Sequence, residues 1–162
     1  MTIGSATMTT MSRIEFSYGA PEHGWSVVTI AHEGREARMV VSYVTDALRD
    51  LLYSLVRVTQ GDDIRFSWDA EPTEYRWMFT HEDDAVRVRV LRFRDGRRPE
   101  PDDAGQEVFA LQSEVSPLVR AVVRSVRRLL FEMGEEEYAR QWTGQAFPLR
   151  ELNALESWLK DH

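Results

Sequence analysis

The residues best suited to metal chemistry form one polar run, His81-Glu82-Asp83-Asp84. Imidazole and carboxylate groups are common ligands of zinc and calcium. One His beside adjacent carboxylates, however, matches neither a zinc spacing nor a calcium loop with its central glycine. The run also separates two predicted strands, where polar turn residues are expected in any case. We therefore predict no metal site in this protein.

A second set of acidic residues, Asp69, Glu71 and Glu74, falls within one short stretch. Two carboxylates flanking a cleft can hydrolyse glycosides, which gives a hydrolase-type enzyme as the least favoured hypothesis. With Trp68 and Tyr75, the same residues are an alternative small-ligand site between an aromatic sheet face and the helices. A solvated loop is the usual explanation for carboxylates in such a stretch.

Other signatures of catalysis are missing from the sequence. There is no G-x-S-x-G nucleophile elbow and no phosphate-binding P-loop. The chain has no cysteine, which excludes thiol chemistry and disulfides. We predict no catalytic residues and no cofactor.

Arginines form two patterned groups, and Lys160 is the only lysine among 20 basic residues. One group alternates along predicted strands and includes a methionine: Arg65, Arg76, Met78, Arg87 and Arg89. Arginine is enriched at protein interfaces, so these residues are the predicted partner- or anion-binding face. The other group has helical spacing: Arg120, Arg124, Arg127 and Arg128. We interpret it as the solvated face of an amphipathic helix, with phosphate or acidic-partner binding as the alternative.

The strand register decides whether the first arginine group needs a partner. A two-residue turn at Glu82-Asp83 would place Arg76 opposite Arg89, and opposed like charges destabilise a sheet. Carboxylates on overlying helices (Glu132, Glu151 or Glu156) would neutralise these arginines internally. The alternative is an acidic partner, a second copy of the protein or an anionic ligand. Apolar contact with that partner would come from Val28, Ile30, Val40 and Met78. A longer turn would instead place Met78 opposite Arg89 and remove much of the conflict.

These candidate residues belong to a stretch with a strict period of two, from Ile64 to Phe93. Such alternation predicts strands with one buried face. We predict a three-stranded antiparallel meander with an aromatic core face, and we expect Trp25, Trp68 and Trp77 to lie in the core. The segment Asp95–Gln106 has no periodicity and predicts a mobile surface loop.

The flanking segments predict a mixed architecture. Three strands (13–18, 25–32 and 38–43) precede a helix that begins at an N-cap Thr45 and stops at Gly61. After the meander come a short strand at 108–111, a helix from Ser116 to Gly134, and two further C-terminal helices. The prediction is an α+β fold, a largely antiparallel sheet with helices packed on it.

Two segments fifty residues apart are similar: I-E-F-S-Y-G-A from Ile14 and I-R-F-S-W-D-A from Ile64. They predict a tandem βββα duplication over residues 13–61 and 62–134, although alternation alone produces such matches by chance. We expect one domain over residues 13–162 after a flexible tail, residues 1–12.

Composition narrows the class of partner. A net charge of −7 disfavours nucleic acid and anionic membrane surfaces. No run approaches the roughly 18 apolar residues of a membrane span. We expect a non-enzymatic cytoplasmic module that binds another protein or forms a homodimer.

Overall fold

The computed structural model describes residues 13–162; the predicted tail, residues 1–12, lies outside them. The chain forms two antiparallel sheets and four helices, which confirms the α+β class. The strands are β1 (Glu15–Tyr18), β2 (Trp25–His32), β3 (Arg35–Ser42), β4 (Ile64–Ala70), β5 (Thr73–Glu82), β6 (Ala85–Phe93) and β7 (Gln106–Glu114). The helices are α1 (Ala47–Thr59), α2 (Val115–Met133), α3 (Glu135–Gln141) and α4 (Leu149–Lys160).

Each sheet follows chain order, β1-β2-β3 in one and β4-β5-β6-β7 in the other. Strand β3 contacts both β4 and β7, while α2 packs on β1 and α4 packs on both α1 and α2. The second sheet is a four-stranded meander, one strand longer than predicted. Strand β7 spans nine residues and is longer than the predicted strand at 108–111. Only its core-facing positions are strongly apolar, so the polar residues at its two ends gave a weak strand signal in the sequence.

Several predicted boundaries were wrong. Strand β3 begins at Arg35, since β2 and β3 are joined by the tight turn Glu33-Gly34, in which Gly34 has φ +78°. The N-cap of α1 is Asp46, and the Thr45 hydroxyl instead accepts a hydrogen bond from the Asp69 amide at 3.1 Å. Helix α2 begins at Val115, so Ser116 lies inside its first turn.

The β5–β6 turn lies one residue later than predicted, at Asp83-Asp84. Asp83 has φ +55°, a conformation that Asp adopts more readily than most residues. The shift changes every cross-strand pair: Arg76 lies opposite Leu91, and Met78 lies opposite Arg89. The predicted opposition of Arg76 and Arg89 was wrong, and the pairs expected from a longer turn are the ones observed.

The inner face of the meander forms the core, as its alternation predicted. Trp68, Trp77 and Phe79 are at most 1% exposed. The rings of Trp68 and Trp77 lie 5.0 Å apart, and the Trp68 Nε1–H donates to the Ala47 carbonyl at 2.9 Å. Trp25 is the exception among the predicted core tryptophans, since it is 38% exposed on the outer side of the first sheet.

The segment between β6 and β7 folds across the outer face of the meander. Leu91 and Phe93 point to that face yet are buried. A Cβ at Gly105 would lie 2.6 Å from Cζ of Phe93, so the loop approaches the ring too closely for any side chain at this position. The segment also contains a short 3₁₀ turn, Asp102–Ala104. It was predicted as a mobile surface loop, but it makes specific contacts with the sheet.

No helix within residues 13–162 is both long enough and apolar enough to span a membrane.

Candidate functional site

The predicted binding face on the meander is neutralised by the chain itself. Arg65 donates through Nη1 to Asp102 at 3.1 Å, and Arg89 donates through Nε to Glu107 at 2.8 Å. Arg87 lies 3.9 Å from Glu82. The structure thus provides an internal answer to the charge problem posed by the sequence.

Arg76 is the most enclosed of these arginines, at 9% exposure. It donates to Glu74 at 3.0 Å and to Asp102 at 2.7 Å, and its guanidinium lies 4.1 Å from the centre of the Phe93 ring. Burial lowers the pKa of Arg76, but the hydrogen bonds to Asp102 and Glu74 outweigh it and raise that pKa overall. Hydrogen bonds from Arg65, and then from Arg76, hold the pKa of Asp102 below its usual value.

The neutralising carboxylates come from the sheet and its loop, not from the helices that we expected. Glu151 lies by Arg49, Glu156 by Arg127, and Glu132 by Arg128. Apolar contact from Val28 and Ile30 is also excluded, because both side chains are buried within the core. Met78 is half-buried and lies between Arg65 and Arg89 in a cross-strand row.

The alternative ligand-site residues lie along the β4–β5 hairpin. Trp68 has no exposed surface. Asp69 accepts a hydrogen bond from the Glu71 amide at 2.7 Å, and Glu74 accepts from Ser67 at 2.6 Å. Tyr75 is half-buried on the core side of the meander. Trp68 and Tyr75 therefore pack on the core, and the Asp69 and Glu74 carboxylates accept hydrogen bonds within the hairpin.

The polar run at the tip of the next hairpin is divided between two roles. His81 bonds with Asp63 at 3.2 Å through Nδ1 and with the Val58 carbonyl at 3.1 Å through Nε2. Asp83 and Asp84 form the turn. Across the described chain, no group of three or more His, Asp or Glu side chains is arranged to hold a metal ion.

A long groove lies between strand β1 and helix α2. It has a volume of about 920 Å³. One wall is residues 13–20 and the other is formed from α2 and the start of α3: Ala121, Arg124, Ser125, Arg128, Leu129, Glu132, Met133 and Glu137. A second depression of about 490 Å³ shares Arg13, Ile14 and Arg124 and extends the groove toward Pro117 and Arg120. We call the two together the β1–α2 groove.

The groove is electrostatically polarised along α2. Its C-terminal end is balanced, because Glu132 lies 3.6 Å from Arg128 and Glu137 pairs with Arg140. Its N-terminal end holds Arg120 and Arg124, neither of which forms an ion pair within residues 13–162.

One further basic group and two acidic groups line that end: Arg13, Glu15 and Glu114. Phe131, 90% exposed, is seven residues after Arg124, so it lies on the same side of α2, about 10 Å farther toward the C-terminus of the helix.

One hydrogen bond fixes the spacing of the two walls. The Tyr18 amide donates to Oγ of Ser125 at 2.8 Å. Below this point, Val122, Val126 and Leu129 hold the helix on the core with 4% exposure or less. Sequence reasoning identified the α2 arginines from their spacing, but it missed the groove because β1 and α2 are about a hundred residues apart in the chain.

The floor beneath the groove contains ionisable groups with raised pKa values. Burial raises the pKa of Tyr18 and of Tyr138 far above the usual phenol value, so both stay neutral. Burial, with the nearby Asp46 charge, raises the pKa of Asp50 to about 6. None of these residues combines with a nucleophile signature, so the shifts reflect packing.

No protein-family model, curated protein or solved structure matches this chain.

Proposed function

We propose that this protein is a non-catalytic binding module that recognises an acidic segment of a partner protein through the β1–α2 groove. The single observation that supports the proposal most is that Arg120 and Arg124 have no carboxylate partner within the described residues, whereas the meander arginines Arg65, Arg76, Arg87 and Arg89 all have internal carboxylates. The other two arginines of the helical group are paired, Arg127 with Glu156 and Arg128 with Glu132.

Unpaired arginines on the same side of a helix as an exposed aromatic ring are suited to protein recognition. A guanidinium binds a carboxylate with two parallel hydrogen bonds. Arginine and large aromatic residues are also the side chains most enriched where binding energy concentrates. Phe131 is 90% exposed, and its burial by a partner would remove a large apolar surface from water.

The chain as a whole is acidic, with a net charge of −7. Long-range repulsion therefore opposes an acidic partner, and attraction must come from the local arginines within about one Debye length, near 8 Å at physiological salt. Such a partner should bind with moderate affinity that falls as salt rises. The proposed setting is the cytoplasm.

Selection from a displayed library of random dodecapeptides tests this function. Wild-type protein should enrich peptides that are rich in Asp and Glu. Arg120→Glu combined with Arg124→Glu should lose those peptides. The control, Arg94→Glu combined with Arg98→Glu, makes the same charge change outside the groove and should retain them. Enrichment without acidic residues, no enrichment at all, or equal loss in both double variants would reject the proposal.

A further inference from the structure

The open edge of the first sheet lies along the β1–α2 groove. Strand β1 pairs with β2 on one side, in a register that places Phe16 opposite Ile30 and Tyr18 opposite Val28. Its other side forms the groove wall. An edge strand presents unpaired backbone groups, which are a template for pairing with a further strand.

The direction of those backbone groups follows from two hydrogen bonds. The Gly19 amide donates to the Val27 carbonyl of β2 at 2.8 Å, which continues the β1–β2 register. The Tyr18 amide points the other way, to Oγ of Ser125 on α2. Because backbone groups alternate in direction along a strand, Ile14 and Phe16 direct their amide and carbonyl groups into the groove.

The groove beside these two residues has a volume of about 920 Å³. The stretch from Ile14 to Phe16 extends about 10 Å, so an added strand would pair along that length. The Ser125 contact closes the edge at Tyr18, so added pairing is confined to Ile14 and Phe16. Arg124 and Arg128 line the facing wall of the groove, and Arg13 lies at the start of the β1 edge.

We infer that the β1–α2 groove binds its partner by strand addition: an extended acidic segment pairs with Ile14 and Phe16, and its carboxylates contact Arg120 and Arg124. This rests on the proposed function and specifies its mode. Backbone pairing supplies affinity in such complexes, while alternate side chains supply specificity. Side chains on the added strand alternate between its two faces, so acidic residues are required at alternate positions only.

The test uses the tightest peptide from the dodecapeptide selection, made in three forms. One form is unmodified, and two carry N-methyl groups on alternate amides, in the two possible phases. N-methylation removes a donor and blocks pairing on one edge only. One methylated phase should bind at least about tenfold more weakly, while the other should bind like the unmodified peptide.

Amide exchange of the protein, followed by NMR, reports the same event from the other side. The Phe16 amide should exchange rapidly in the free protein and slow markedly with peptide bound. The Ser17 amide points to β2 and should be slow in both states, which makes it the matched control.

The outcomes separate this inference from the proposed function. Binding that depends on Arg120 and Arg124, but with both methylated phases equally active and Phe16 exchange unchanged, overturns strand addition and leaves acidic recognition intact. Slow exchange of the Phe16 amide in the free protein at low concentration also overturns strand addition, since another segment of the same chain would then already pair with the β1 edge. Slowing that appears only with concentration and dimer formation assigns the edge to a second copy instead. Absence of arginine-dependent binding overturns both.

Discussion

Arg76 shows how one side chain can change from a candidate binding residue to a structural one. Its neighbours in sequence suggest an exposed, charged face. In the fold it is 9% exposed and lies between Glu74, Asp102 and the ring of Phe93. An enclosed arginine with these partners holds the β6–β7 loop against the sheet.

Arg76→Ala should therefore lower the free energy of unfolding by about 2–4 kcal/mol, because it leaves the enclosed Glu74 carboxylate with only the Ser67 hydroxyl as a partner among residues 13–162 and removes one of the two arginines that bind Asp102. Denaturation in urea measures the change. Arg87→Ala is the control, since Arg87 is half-exposed and the Glu82 carboxylate that it pairs with is as far as 3.9 Å away. This variant should change the free energy of unfolding by less than about 0.5 kcal/mol. Similar small losses in both variants would refute this role for Arg76.

Asp50 gives stability a dependence on pH. Its pKa is raised to about 6 from 3.8, first by burial and then by the Asp46 charge, with Arg49 opposing. The folded state therefore binds a proton more tightly than the unfolded state. This contribution is fully present below about pH 4 and is lost as pH rises through about 6.

Asp50→Asn should remove this loss of stability at neutral pH, which is on the order of 1 kcal/mol of unfolding free energy after allowance for solvent screening. The variant should gain melting temperature over wild type at pH 7.5, and the gain should shrink toward pH 4.5. Exposed Asp103→Asn serves as the control. A difference between Asp50→Asn and wild type that stays constant with pH would contradict the assignment.

At the scale of elements, the alternation from Ile64 to Phe93 predicted the correct faces. A period of two specifies which residues share a face without specifying which residue lies opposite which. The register depended on whether Glu82 or Asp84 entered the turn, and Asp83-Asp84 forms it. The position of the turn therefore determined which charges meet across the sheet.

Trp25 and Trp77 test directly which face of each sheet is buried in the core. Trp77 is 1% exposed and Trp25 is 38% exposed. Trp77→Ala should cost about 3–5 kcal/mol of folding free energy, whereas Trp25→Ala should cost about 1 kcal/mol or less. Thermal or urea unfolding of the two variants makes the comparison, and equal losses would mean that the two sheet faces are wrongly assigned.

The candidate site could be predicted only in part from the sequence. The helical spacing of Arg120 and Arg124 is visible, and so is the edge-strand pattern from Ile14 to Tyr18. What the sequence lacks is the contact between them, since the Tyr18–Ser125 hydrogen bond joins residues 107 positions apart. The neutralisation of Arg65 and Arg76 was equally hidden, because Asp102 belongs to an aperiodic loop. The tandem duplication stays a prediction.

At the scale of the whole molecule, the two arginine groups differ in how fully they are neutralised. The meander arginines pair with sheet and loop carboxylates, whereas Arg120 and Arg124 in the groove have no internal partners among residues 13–162. An overall acidic protein with two locally unpaired arginines should select partners by local charge rather than by net charge.

A charge-reversal exchange measures this central claim most directly. The selected acidic peptide and a version with lysine at each acidic position are titrated against wild type and against Arg120→Glu with Arg124→Glu, by fluorescence anisotropy. The double variant should bind the acidic peptide at least about tenfold more weakly than wild type does, and it should bind the lysine peptide more tightly than wild type does. Equal weakening of both peptides, or no change in either, would contradict recognition of an acidic segment by this groove.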